Sequence, residues 1–305
     1  MLARCGDSAT AVAAGRGVIQ WSRKTLRSEE QLVTATIEPI RRINVMTQAA
    51  LLPDQRFESL PIKLRELVNY LEYANIITPI NLTRYLQGTA IQTEDLLPWA
   101  DWKHPIRDSY GRRLVYRSDR FEVMVMSWLP GDYSAIHDHG ATQWGAVLFL
   151  GTADHITYQF EGGVLKTAAQ QSFTPGSVNG VDQKLIHQMG NPSDEPFLSL
   201  HVYGCHQACD AITGNARLFD LHEGTIQYTD GGVFFCLPES EIKARTYGIC
   251  GDRSTTLRHH QQMGDRIHRI LAQETDPALT SKLTQLRRQI ERLKATTVPA
   301  QSHQG

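Results

Sequence analysis

The sequence predicts a mainly β fold with helices before and after it, and three observations predict it. Apolar residues recur at helical spacing over residues 29–100, change to short runs rich in β-branched and aromatic residues, and return to helical spacing from about Leu257. The short runs are separated by Gly, Pro, Asp and Asn at regular spacing, which marks a sandwich or a barrel. With 305 residues, 41% of them hydrophobic, the chain can bury a full core.

The elements follow in order. Residues 1–55 are expected to form an N-terminal extension, partly disordered or helical. Their opening, "MLARCGDSATAVAAGRGVIQW", is too broken by Gly and Arg for a secretory signal, and a start at Met46 would leave the rest intact. Residues 56–105 form a helical region expected to pack on the barrel. There Leu64, Leu67, Val68 and Leu71 share one face of a helix signalled by Ser59 and Pro61, and Asn81 is expected to cap a short helix, "NLTRYLQG", ended by Gly88.

Residues 106–240 carry the strand-like runs: "RRLVYR", "FEVMVMSWL", "WGAVLFLG", "DHITYQF", "GVLKTA", "KLIHQMG", "PFLSLHVYG", "RLFDLH" and "TIQYTD". Residues 241–305 are expected to be a helical extension and a disordered tail, "TTVPAQSHQG". Thr275 or Asp276 before Pro277 opens a helix with a stripe of Leu279, Leu283, Leu286, Ile290 and Leu293. About two heptads fall short of the three or four that a coiled coil wants, so the stripe is expected to pack on the chain's own barrel. The chain is then a monomer, or a weak homo-oligomer through this helix.

A formal net charge of -1 gives no reason to expect nucleic acid or an anionic membrane as partner. No run of about 18 apolar residues suggests a membrane span. The five cysteines are odd in number and form no CxxC pair, which implies a reducing compartment and a cytoplasmic location. A small-molecule enzyme or binding protein fits these totals.

The chemistry concentrates in "GDYSAIHDHGATQWGAVLFLG". Residues two apart share a strand face, so His137 and His139 can both point inward while Asp138 points away. One inward histidine is usually a satisfied core residue; two at this spacing after Gly131 are better explained by a transition metal, for which neutral imidazole is a favoured ligand. His187 in "KLIHQMGN", followed by Asn191, is the expected third ligand. Gly-x5-His-x-His and His-x3-Asn together resemble the cupin pattern, a jelly-roll β-barrel. Most cupins place a Glu after the second His; here Gln143 or Trp144 stands there. Three neutral imidazoles leave a divalent ion its full charge, which suits an anionic chelating substrate.

"YGRRLV", "SWLPGDYSAIHDH" and "IHQMGNPSDEPFLSLHVYG" extend the likeness: residues 60–235 resemble the thiol dioxygenases, the cysteine dioxygenases most of all. The resemblance implies a cupin barrel preceded by helices and Fe(II) on His137, His139 and His187. It further implies oxidation of L-cysteine by O2 to cysteine sulfinate. It makes Arg112, in Tyr110-Gly111-Arg112, the residue that pairs with the substrate carboxylate, beside Tyr110. It also makes Ser199, His201 and Tyr203 a relay ending in a hydroxyl near substrate and oxygen. On the residues alone, those three form a polar stripe opposite Leu198, Leu200 and Val202, equally readable as structural polarity at a barrel mouth. Likewise Arg112 or Arg113 alone reads as a solvated charge, and alternation turns only one of them inward. The cysteine that cross-links to the active-site tyrosine in animal members is replaced by Trp144, so Tyr203 is expected to be an unmodified phenol.

Rival functions are the same oxidation of 3-mercaptopropionate or cysteamine, and a non-enzymatic cupin sensor. A zinc or manganese isomerase is disfavoured by the missing Glu. Trp128 and Trp144 read as core or pocket wall, Cys205 and Cys209 as structural or redox-sensitive, and His259 and His260 as surface. His155, His206 and His222 have no spacing that recommends them as ligands.

Overall fold

The computed structural model describes residues 57–106, 108–235, 237–273 and 276–297. The expected extension over 1–55, Cys5, Cys236, Thr275 and the tail from 298 on lie outside the described residues.

Among the described residues, three α-helices precede the strands, α1 (Ile62–Tyr73), α2 (Pro79–Gly88) and α3 (Thr93–Leu96). α1 buries the four residues whose spacing predicted it, Leu64, Leu67, Val68 and Leu71. The cap of α2 is Thr78, three residues before the expected Asn81. Thr78 Oγ1 accepts the Asn81 N–H at 3.2 Å and Asn81 Oδ1 accepts the Thr78 N–H at 2.7 Å, a reciprocal capping box. Asn81 is therefore inside the first turn, and Pro79 sits where a missing N–H costs nothing.

The strands are β1 (Gly111–Arg117), β2 (Phe121–Trp128), β3 (Trp144–Phe149), β4 (Ala153–Glu161), β5 (Val164–Phe173) and β6 (Val178–Asp182), then β7 (Ile186–Gly190), β8 (Phe197–Gly204), β9 (Ala216–Asp220), β10 (Thr225–Thr229), β11 (Ala244–Tyr247) and β12 (Cys250–Gly251). One sheet has the order β1-β2-β8-β3-β6, a second β12-β5-β4-β7 and a third β11-β10-β9. β8 inserts between β2 and β3, which are neighbours in sequence, and pairs antiparallel with both. The strand order makes the architecture a jelly-roll β-barrel with helices before and after it. Each expected run coincides with a strand. β6 was not expected, because "VNGVD" mixes strand formers with Asn and Gly; β11 and β12 fall in the segment assigned to the helical extension, where they are short and largely polar.

The five-stranded sheet is covered on both sides. Its outer residues Val123, Val125, Ala146, Leu148, Leu198, Leu200 and Val202 form one core with the helices, whereas Met124, Met126, Val147 and Tyr203 belong to a second, inner cluster. This is why every residue of β2, β3 and β8 is buried.

The last described elements are α4 (Arg253–Leu271) and α5 (Pro277–Thr297). α4 is capped by Asp252, which accepts the Thr255 N–H at 2.8 Å, and it is tied to β5 through Thr255 and Arg258, both bonded to Thr167. The α5 stripe does not face the barrel as expected. Leu283, Leu286 and Ile290 pack on Met263 and Ile267 of α4. His259 and His260 are not surface residues either: each is 4% exposed, on the α4 side that meets Phe235 and His222. Their polar neighbours in "RHHQQM" concealed this.

Candidate metal centre

His137 and His139 lie on an irregular segment between β2 and β3 rather than on a regular strand. Isolated bridges hold it: His137 exchanges both backbone hydrogen bonds with His187 of β7, at 2.9 Å each, and Asp138 N–H donates to Arg217 O at 3.0 Å. Gly140 closes the segment at φ +53°, and a Cβ there would collide with the Gly214 carbonyl, so glycine is required. The Asp138 side chain turns away to Arg217, as alternation predicts.

The three rings converge. His187 Nε2 lies 3.2 Å from both His137 Nε2 and His139 Nε2, and all three residues are buried. At metal–nitrogen bonds of about 2.1 Å, nitrogens this far apart subtend about 100° at a shared ion. The other ring atoms favour that use. His137 Nδ1 is 2.8 Å from Ala135 O and donates to it, leaving Nε2 with its lone pair. Burial pulls the His137 pKa down to about 4; burial and the neighbouring rings hold His139 and His187 well below the ordinary histidine range. Three neutral imidazoles aimed at one point repel as lone pairs and attract a cation, so the residues present fit a transition-metal ion.

His155 completes the arrangement, although sequence spacing gave no hint of it. Its Nε2 is 2.8 Å from His187 Nδ1, and burial followed by His137 lowers its pKa to about 4. It sits on β4, paired antiparallel with β7, so only the strand pairing reveals it.

On β8 the polar stripe is a hydrogen-bonded chain. Trp128 Nε1 donates to Ser199 Oγ at 2.8 Å, Ser199 Oγ lies 2.7 Å from His201 Nε2, and His201 Nδ1 lies 2.8 Å from the Tyr203 hydroxyl oxygen. Counting donors orients it. The Trp128 indole can only donate, and His201 Nε2 is the one acceptor in reach of the Ser199 hydroxyl among the described residues. Ser199 then donates to Nε2, His201 Nδ1–H donates to the tyrosine oxygen, and the Tyr203 O–H is left for the cavity. Burial pushes the Tyr203 pKa above its ordinary value and drops that of His201 to about 3, so both stay neutral. Trp128 is thus part of this chain as well as a wall.

Arg112 and Arg113 separate as alternation requires. Arg113 is exposed and pairs with Asp101 at 2.9 Å, whereas Arg112 lines a cavity of about 430 Å³, mouth included, with Tyr110, His137, His139 and Tyr203. Tyr110 is buried, stacks at 4.8 Å on Trp128, and accepts the Val233 N–H at 3.1 Å; burial raises its pKa to about 12. Asn191, which follows the His187 segment, has a structural role. Its amide holds Trp128 O and Glu195 O, tying the loop after β7 to β2.

No protein-family model matches the chain. Among solved structures, it is similar to an uncharacterised conserved protein with a double-stranded β-helix domain from Klebsiella pneumoniae, at 16% identity and TM-score 0.29 over 37% of this chain and 90% of that one. It is also similar to a Cupin 2 conserved barrel domain protein from Salinispora arenicola, at 18% identity and TM-score 0.25 over 33% of this chain and 80% of that one. A third is the oxalate decarboxylase of Lactobacillus farciminis, at 17% identity and TM-score 0.27 over 33% of this chain and 30% of that one. The strand order and the facing sheets, rather than these scores, carry the jelly-roll assignment.

Proposed function

We propose that the protein is a non-haem Fe(II) thiol dioxygenase that oxidises L-cysteine with O2 to cysteine sulfinate. The observation that carries the reading is Arg112: its guanidinium lines the same cavity as His137, His139 and Tyr203 and has no ion pair or hydrogen bond among the described residues. A guanidinium facing a cavity without a counter-ion suits an anionic ligand, and its planar fork matches a carboxylate by two charge-assisted hydrogen bonds.

His137, His139 and His187 would hold the iron, which when bound supplies thiolate ligation and oxygen activation. The remaining residues act on the substrate. Arg112 fixes the carboxylate and so aims the thiol and amine at the three imidazoles, the proximity contribution. Tyr110, held by Val233 and Trp128, walls the carboxylate end. Tyr203 presents its O–H to the substrate or oxygen, its oxygen held by His201 and, behind that, Ser199 and Trp128. His155 fixes the ring of His187. The absent carboxylate ligand keeps the site cationic, which favours a thiolate.

The test is an oxygen-electrode trace of the iron-loaded full chain with L-cysteine, followed by product analysis. The expected result is one O2 consumed per cysteine sulfinate formed. No uptake on cysteine, 3-mercaptopropionate or cysteamine would overturn the reading.

A further inference from the structure

Cys205 and Cys209 follow directly on the Tyr203 strand, and their sulfurs lie 2.7 Å apart. Their backbones are fixed on one support: Cys205 N–H donates to Arg120 O at 2.8 Å and Cys209 N–H to Asp119 O at 2.9 Å, adjacent residues of the turn between β1 and β2. Because both ends of this short segment are already anchored, the sulfurs need to approach by only about 0.7 Å to reach bonding distance. Accessibility is unequal. Cys205 is buried, whereas Cys209 is half-exposed and follows three exposed residues, His206, Gln207 and Ala208.

We propose that this pair is a modification site at which hydrogen peroxide closes an intramolecular disulfide between Cys205 and Cys209. The half-exposed Cys209 thiol reacts first: its sulfur attacks the peroxide O–O bond, giving a sulfenic acid and one water. The Cys205 sulfur then displaces hydroxide from that sulfenic acid, its own proton leaving with the hydroxide as a second water. Two thiols are oxidised, one peroxide is reduced, and no further reagent is needed. Burial and the adjacent Cys209 raise the Cys205 pKa to about 12, which keeps it a thiol until its partner is activated.

The location connects the pair to the metal segment. Cys205 Sγ lies 3.6 Å from Ala141 O, Gln143 N–H donates to Gly204 O at 2.9 Å, and His206 N–H donates to Gln143 Oε1 at 2.6 Å. The dithiol segment therefore braces the chain as it leaves His139.

The test uses the full chain, reduced, treated with hydrogen peroxide, freed of peroxide, unfolded in denaturant, blocked there with a maleimide and digested with trypsin; one peptide, 185–217, contains both cysteines. It is expected to be unalkylated and lighter by two hydrogens, and to take two maleimides after treatment with dithiothreitol. In Cys209→Ser the same treatment should leave Cys205 alkylated. A wild-type peptide carrying two maleimides, or one with sulfinic Cys209 beside alkylated Cys205, overturns the proposal. The readout needs neither metal nor substrate, so its failure is distinct from failure of the dioxygenase reading.

Discussion

His155 Nε2 stands 2.8 Å from His187 Nδ1, across the pairing of β4 with β7. With His187 bound to a metal through Nε2, its Nδ1–H donates to His155 and the ring is held in one orientation. Partners of this kind are worth about 10–100-fold in metal affinity. His155→Leu should lower iron retention against a chelator by that order, while His155→Gln, which keeps an acceptor, should retain most of it. Equal retention in wild type and His155→Leu would show that the contact does not orient the ligand.

Arg112→Gln removes the cavity's charged fork. Two charge-assisted hydrogen bonds contribute about 1.5–3 kcal/mol each, so kcat/KM for cysteine should fall about a hundredfold or more. Cysteamine, which lacks the carboxylate, should be affected little. A variant in which both substrates lose activity alike would assign Arg112 to structure.

Ser199→Ala deletes the donor that sets the tautomer of His201. Tyr203 can then donate to His201 Nδ1 and withdraw its proton from the cavity. The expected kinetic outcome is a fall in kcat of about tenfold or more with a smaller change in KM. Trp128→Phe keeps the Ser199 donor and should have the milder effect on kcat.

Asp132 is fully buried and lies 3.3 Å from Arg266 Nη1, 3.1 Å from Arg269 Nη2 and 3.2 Å from His104 Nε2. Burial alone would depress His104, but this carboxylate outweighs it and leaves the ring above its ordinary pKa. The same residue begins the segment leading to His137, so it ties α4 to that segment. Asp132→Asn removes the one buried carboxylate that His104, Arg266 and Arg269 share and should cost about 3–5 kcal/mol, measured by denaturant unfolding.

Burial, then His259 and His222, hold His260 at about 4, with Lys294 adding to the effect and Asp220 opposing it. An unfolded histidine titrates near 6.5. Between these values the unfolded chain binds a proton that the native chain refuses, so stability drops as pH falls from about 6.5 toward 4. His260→Gln should flatten the decline in melting temperature between about pH 7 and 5. An unchanged decline would mean that this ring does not contribute.

Period two exposed the strands, and the same period separated Arg112 from Arg113 and Ser199 from Leu200. What stayed hidden depends on pairing distant in sequence. His155 meets His187 only because β4 lies beside β7, and Trp128 meets Ser199 only because β2 lies beside β8. Asn81 was misplaced by three residues because a capping box has polar groups at both ends. His259 and His260 were misjudged because polar neighbours along a helix say nothing of what packs against it.

β8 serves two masters at alternate residues: Leu198, Leu200 and Val202 grip the helical layer while Ser199, His201 and Tyr203 form the hydrogen-bonded chain on the opposite, inner face. Inserting or deleting one residue there would trade the two sets, sending hydroxyls and an imidazole into oil and leucines into the cavity. The outer core and the inner polar chain thus share one register, and neither can drift along this strand without the other.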